Sequence, residues 1–122
     1  MGTVRSFRDL IVWQKSMDLA VQVYGATAKF PREEVFGLTS QMRRAGVSTP
    51  SNIAEGQARN STGEFKHFLG IALGSLAELD TQVELSMRLQ FLSKPESEAL
   101  TASCSEIGKM INGLQRSLPP DH

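Results

Sequence analysis

The stretch STGEFKHFLGIALGSLAELDTQVELSMRLQFLSKPE, residues 61–96, decides the fold. It opens on Ser61 with Glu64 and closes on Ser93 with Glu96. Both pairs have capping-box spacing, in which a serine oxygen accepts one free backbone N–H and the glutamate reaches back for another. Pro95 suits a first helical turn. Between the two starts, Phe65, Phe68, Leu69, Ala72, Leu76, Leu79, Val83 and Met87 recur at three- and four-residue steps, which is the period of one buried helical face. The stretch therefore reads as one long helix and the start of another.

Working outward, turn chemistry falls at Phe30-Pro31, at Arg59 to Gly63 and at Leu92 to Pro95. These three breaks leave four helices, at about 9–29, 32–58, 64–92 and 96–118. Short connections between long helices favour antiparallel neighbours. The expected fold is all-α, an antiparallel up-and-down four-helix bundle in a single domain over residues 1–122. Gly46 and Pro50 predict a kink in the second helix, because proline removes one backbone donor and crowds the carbonyl four residues back. Ser48, Thr49, Ser51 and Asn52 stand close enough to rebond the freed groups.

Two helices carry more apolar residues than one core needs. On the first, Leu10, Trp13, Met17, Ala20, Val21, Tyr24 and Ala28 read as the core stripe, while Val12, Leu19, Val23 and Ala26 lie nearly opposite at 100° per residue. On the third, Ile71, Leu85, Leu89 and Leu92 fall outside the main stripe. Surplus apolar faces become partner surfaces. A homo-oligomer interface through Val12, Leu19, Val23, Ile71, Leu85 and Leu89 is therefore expected. The fourth helix has a single stripe, Leu100, Ile107, Met110, Ile111, Leu114 and Leu118, and reads as outer with a wet back. Gly70 and Gly74, one turn apart, suggest a close helix approach.

Chemistry is sparse. The thirteen basic and thirteen acidic residues cancel, although the first 60 residues carry eight basic against five acidic. His67 has only Glu64 at a neighbouring ligand step, so no metal or cofactor is expected. No serine, threonine or cysteine stands beside a nominated base, and Cys104 borders an apolar stripe, so an enzyme is not expected. A lone cysteine suits a reducing compartment, and no apolar run approaches the roughly 20 residues of a membrane span. Cytoplasmic residence without membrane association is the expectation.

Within the second helix, Arg44, Ser48, Ser51 and Glu55 form a polar ridge, with Arg43 about 100° away. Two uses suggest themselves. One is a salt-bridged contact with Arg44 and Glu55 paired within or between chains; the other is a phosphate-contacting surface of Arg43, Arg44, Arg59 and Lys15 for RNA or DNA.

The string QMRRAGVSTPSNIAEG at 41–56, followed by Arg59, resembles the signature of the four-helix-bundle proteins encoded in intervening sequences of bacterial 23S ribosomal RNA genes. The likeness extends to Phe7, Leu10, Val12-Trp13-Gln14, Phe30-Pro31, Glu34, Phe36-Gly37-Leu38, and Phe68-Leu69 through Ile71-Ala72, Gly74-Ser75 and Glu78-Leu79. That resemblance implies a ring, typically a pentamer, with no catalytic activity. A related branch, the accessory variability determinant of diversity-generating retroelements, is a basic pentamer that binds nucleic acid; this chain departs from it in being neutral. The leading expectation is a non-enzymatic homo-oligomeric scaffold presenting a repeated surface to a protein or nucleic-acid partner. A nucleic-acid-binding module is the alternative, and an enzyme or ligand binder with a pocket between subunits a minor one.

Overall fold

A computed structural model describes residues 5–120. Four helices form, α1 (Ile11–Thr27), α2 (Leu38–Ala58), α3 (Thr62–Arg88) and α4 (Lys94–Ser117), with 3-10 turns at Phe7–Asp9 and Arg32–Glu34. Among the described residues there is no strand. Each helix packs against the two adjoining it, and α4 closes back on α1.

The pairings run in opposite senses. On α1 and α2, Arg43 meets Thr27 while Gly46 meets Val23. On α2 and α3, Met42 meets Ser86, Ser48 meets Ser75 and Gly56 meets Phe68. On α3 and α4, Thr101 meets Asp80 and Gln115 meets Lys66; on α4 and α1, Glu96 meets Lys29 and Ser103 meets Gln22. One member of every pair rises as the other falls, so the bundle is antiparallel and up-and-down.

Both expected starts have the serine cap, and the Ser93–Glu96 start has the reciprocal glutamate bond as well. Ser93 accepts from Glu96 N–H at 3.2 Å, and the Glu96 carboxylate accepts from Ser93 N–H at 2.9 Å. Ser61 accepts from Glu64 N–H at 3.1 Å. Helix ends are where the structure departs from the sequence. α2 begins at Leu38 rather than near 32, because Pro31 and the 3-10 turn come first and the Glu34 carboxylate then accepts from Leu38 N–H at 3.0 Å. α3 ends at Arg88 rather than 92 in a Schellman arrangement. Gln90 takes φ 66°, Phe91 N–H donates to Ser86 O at 2.8 Å, and Gln90 N–H donates to Met87 O at 2.9 Å. The reversal swings Leu92 into the core, where it is buried near the Phe30 and Phe91 rings, 5.5 Å apart. The sequence had placed Leu92 outside.

α2 runs as one helix through Gly46 and Pro50. Thr49 donates to Ala45 O at 3.1 Å and Asn52 to Ser48 O at 2.8 Å, so polar side chains do serve carbonyls around the proline.

The core holds Leu19, Val23, Met42, Ile53, Leu69, Leu79, Val83, Leu100, Ile107 and Ile111. Here α1 reverses the expectation. Val12, Leu19 and Val23 face inward, while Met17, Val21 and Tyr24 are exposed. Two nearly opposite apolar stripes leave the choice to the neighbours. Gly46 of α2 comes close to Ala20 and Val23, and Ser16 and Thr27 sit buried on the same side by donating to Val12 O and Val23 O. Gly70 and Gly74 are corrected too: a Cβ at Gly70 would meet only the tip of Gln115, 3.9 Å away, and one at Gly74 nothing within 4 Å. The tight contact belongs to Gly56, where a Cβ would lie 2.7 Å from that of Phe68.

Candidate interaction surface

The four cations singled out in the sequence are not brought together. Arg43 is half-buried: Nε donates to Thr27 Oγ1 at 2.9 Å, Nη2 to Tyr24 O at 3.4 Å, and the guanidinium lies 4.4 Å from the Tyr24 ring centroid. Arg59 pairs with Glu55 at 2.9 Å, stands 4.0 Å from Glu64 and covers the Phe68 ring at 5.1 Å. Lys15 reaches Glu106 on α4 at 3.4 Å. Arg44 alone of the four is exposed and has no hydrogen-bond or ion-pair partner among the described residues.

The polar ridge divides likewise. Arg44 and Glu55 do not pair within the chain, since eleven residues of helix separate them by about 16 Å and Glu55 takes Arg59 one turn away. Ser48 turns toward α3, its hydroxyl 2.8 Å from that of Ser75 and accepting from Asn52 at 2.9 Å. It is a bond between helices, and Ser51 is left exposed.

What the structure does assemble is an apolar face centred on α2. Met17, Val21 and Tyr24 form one exposed stripe of α1, and Ile71, Leu85 and Leu89 one of α3. Both stripes border α2. Tyr24 shares a cleft with Val35, Val47, Arg43 and Arg44, while Glu78, on the Ile71 stripe, shares a hollow with Arg44 and Ser48. Val35, Val47 and Phe36 complete the face. Apart from Ile11, every exposed large hydrophobic among the described residues belongs to it, and α4 contributes none. Of the six residues expected at an oligomer interface, Ile71, Leu85 and Leu89 lie on this face; Val12, Leu19 and Val23 are in the interior and cannot reach a partner.

The cleft between α1 and α2 encloses about 510 Å³. Its residues Tyr24, Val35, Thr39 and Val47 were not singled out for binding in the sequence. The available signal was Val35-Phe36 between Pro31 and Gly37, two large apolar residues in a connector too short to bury both.

Elsewhere the chemistry stays sparse. Burial, with Asp80 nearby, pushes the Cys104 thiol up to about 12, so it is a protonated packing group rather than a nucleophile. Among the described residues no three His, Cys, Asp or Glu side chains group to hold a metal, and no helix is long and apolar enough to cross a membrane.

Comparison with known proteins matches residues 8–113 to the 23S rRNA-intervening sequence protein family. The chain belongs to that family. Its structure is similar to the crystal structure of a protein with unknown function from the S23 ribosomal protein family of Bacteroides thetaiotaomicron VPI-5482, with a TM-score of 0.79 and 25% identity. The likeness covers 88% of this chain and all of that one. No curated protein matches the sequence. The matched span runs from the turn before α1 to the last turn of α4, so membership takes in the whole apolar face.

Proposed function

We propose that this intervening sequence protein is a non-enzymatic, cytoplasmic scaffold that self-associates through its α1–α2–α3 face into a ring, with five copies as the expected number. The observation that carries the proposal is the one-sided distribution of exposed apolar side chains. Nine large hydrophobics lie on that face, Phe36 at 94% and Val21 at 70% exposure, against a polar α4. Isolated exposed leucines are ordinary, but a contiguous set on three adjoining elements marks a contact surface. A repeated unit would then offer a partner many copies of one weak contact and hold it by avidity.

A protein contact is better supported than a phosphate contact. Three of the four candidate cations already have partners in their own chain, and the net charge is zero. A polyanion footprint calls for a surplus of free cations. The deciding experiment is native mass spectrometry with light scattering on the purified protein, before and after nuclease treatment. A nucleic-acid-free oligomer is expected. A monomer at every concentration removes the self-association reading, and a mass that collapses with nuclease moves the function to nucleic-acid binding.

A further inference from the structure

Phe36 is the most anomalous side chain on the surface. It is 94% exposed, in the connector between the Arg32–Glu34 turn and α2, and Glu33 beside it is an exposed carboxylate without a partner among the described residues. An aromatic ring held wholly in water on a short, ordered connector contributes nothing to its own chain.

The cleft between α1 and α2 has the inverse chemistry. Tyr24, Val35 and Val47 are its apolar walls, Arg43 and Arg44 its cations, and no carboxylate lines it. The Arg44 guanidinium and the hydroxyls of Tyr24, Thr39 and Ser40 on its walls have no hydrogen-bond partner among the described residues. These donors are open to solvent in the cleft and stand available to an acceptor arriving from outside. At about 510 Å³ the cleft is in the range that holds a ligand of many atoms.

An acidic residue three positions before an aromatic, and a cleft with cations over apolar walls, are complementary. Both are carried by every copy of this chain. Val35 lines the cleft while its neighbour Phe36 points away from it, so one connector forms a wall of its own cleft and offers a knob beyond it.

We propose that the cleft is the seat for the Glu33–Phe36 segment of a second copy of this chain, with Phe36 between Tyr24, Val35 and Val47, and Glu33 against Arg44. The inference rests on the self-association reading and specifies its contact. Each copy donates one knob and receives another, so the site is incomplete without its neighbour.

The test is sedimentation velocity on the full chain. Phe36→Ala is expected to weaken association at least about tenfold, as loss of a central aromatic anchor does. Because the ring is exposed within its own chain, circular dichroism should show the fold intact. Arg44→Glu should also weaken association, and Glu33→Arg with Arg44→Glu should recover part of it, which a merely structural role would not produce. An equimolar mixture of Phe36→Ala, lacking the knob, with Val47→Trp, whose cleft is filled, should form heteromers through the one intact knob and cleft that the pair retains. An oligomer unchanged by Phe36→Ala, or double reversal no better than either single change, overturns this contact and leaves the self-association reading standing. A wild-type monomer overturns both.

Discussion

Replacing Gly56 by alanine tests whether α2 and α3 meet as closely as the structure has them. In an ordinary helix the change is stabilising by about 1 kcal/mol, because glycine loses more backbone freedom on folding. Here the new Cβ would lie 2.7 Å from the Phe68 Cβ, 3.1 Å from the Phe65 ring and 3.3 Å from the Phe65 carbonyl oxygen. The first and third of these are fixed to the α3 backbone and cannot swing away. To regain ordinary contact at 3.4 Å the helices must part by roughly 0.7 Å. That opening extends along the seam toward Ile53 and Leu69, which have no exposed surface. Overpacking of this kind costs about 1–3 kcal/mol. With little room for a side chain to yield, the upper figure applies; less the helical gain, a net loss of about 2 kcal/mol remains. For a domain of this size that corresponds to a melting temperature lower by about 8 °C. Gly108→Ala is the control, because a Cβ there meets nothing within 4 Å and the same helical gain should appear undiminished. Urea unfolding followed by circular dichroism, at one protein concentration for all variants, reads both. If Gly56→Ala is as stable as Gly108→Ala, the close approach is wrong.

Gln90 holds φ 66° at the end of α3, a conformation that costs a side-chain-bearing residue about 1 kcal/mol, so Gln90→Gly should raise stability by that order in thermal unfolding. Ser93→Ala removes the hydroxyl that accepts from Glu96 N–H and should cost about 1 kcal/mol in the same assay, whereas Lys15→Ala, which breaks a half-exposed pair, should stay within about 1 kcal/mol of wild type. Cys104 titrates near 9.0 when unfolded and near 12 when folded, so above pH 9 the unfolded chain holds fewer protons and stability should fall as pH climbs towards 12. Cys104→Ala should lose that component of the slope, and a slope identical to wild type would discount the burial of the thiol. Below pH 9 both states are protonated and the group should contribute no pH dependence.

The bundle was legible because its signals are local and act together. Ser93 with Glu96 and Ser61 with Glu64 start helices by bonds that depend on spacing alone, and the α3 core stripe from Leu69 to Val83 follows from period. The helix ends at Leu38 and Arg88 were less legible, since Glu34 capping Leu38 and Gln90 adopting positive φ are choices of backbone geometry that composition does not announce. The orientation of α1 was not legible. Its two stripes are similarly apolar, and the one that faces inward is set by packing against the neighbouring helices, which the sequence of α1 alone does not show. The polar ridge failed for a related reason. Helical spacing places Arg44 and Ser48 on one face, but only the α2–α3 pairing shows Ser48 turned to Ser75 and Arg44 left alone. Phe36 belongs to the family-like string Phe36-Gly37-Leu38, and its exposure emerges only from where the turn before α2 leaves it.

Under the proposed self-association, the polar exterior of α4 would set a limit on growth. A subunit with adhesive surface on every side can add neighbours in three dimensions and has no intrinsic stopping point. This chain keeps its exposed large hydrophobics off one entire helix, where Glu98, Thr101, Ser105 and Lys109 meet water. Copies joined through the α1–α2–α3 face would then meet edge to edge, and a second layer laid over α4 would find no large apolar side chain to cover. The same asymmetry makes that helix the natural place to attach a dye or an affinity handle, for instance at the exposed Ser105, where a label would report on the proposed assembly without taking part in it.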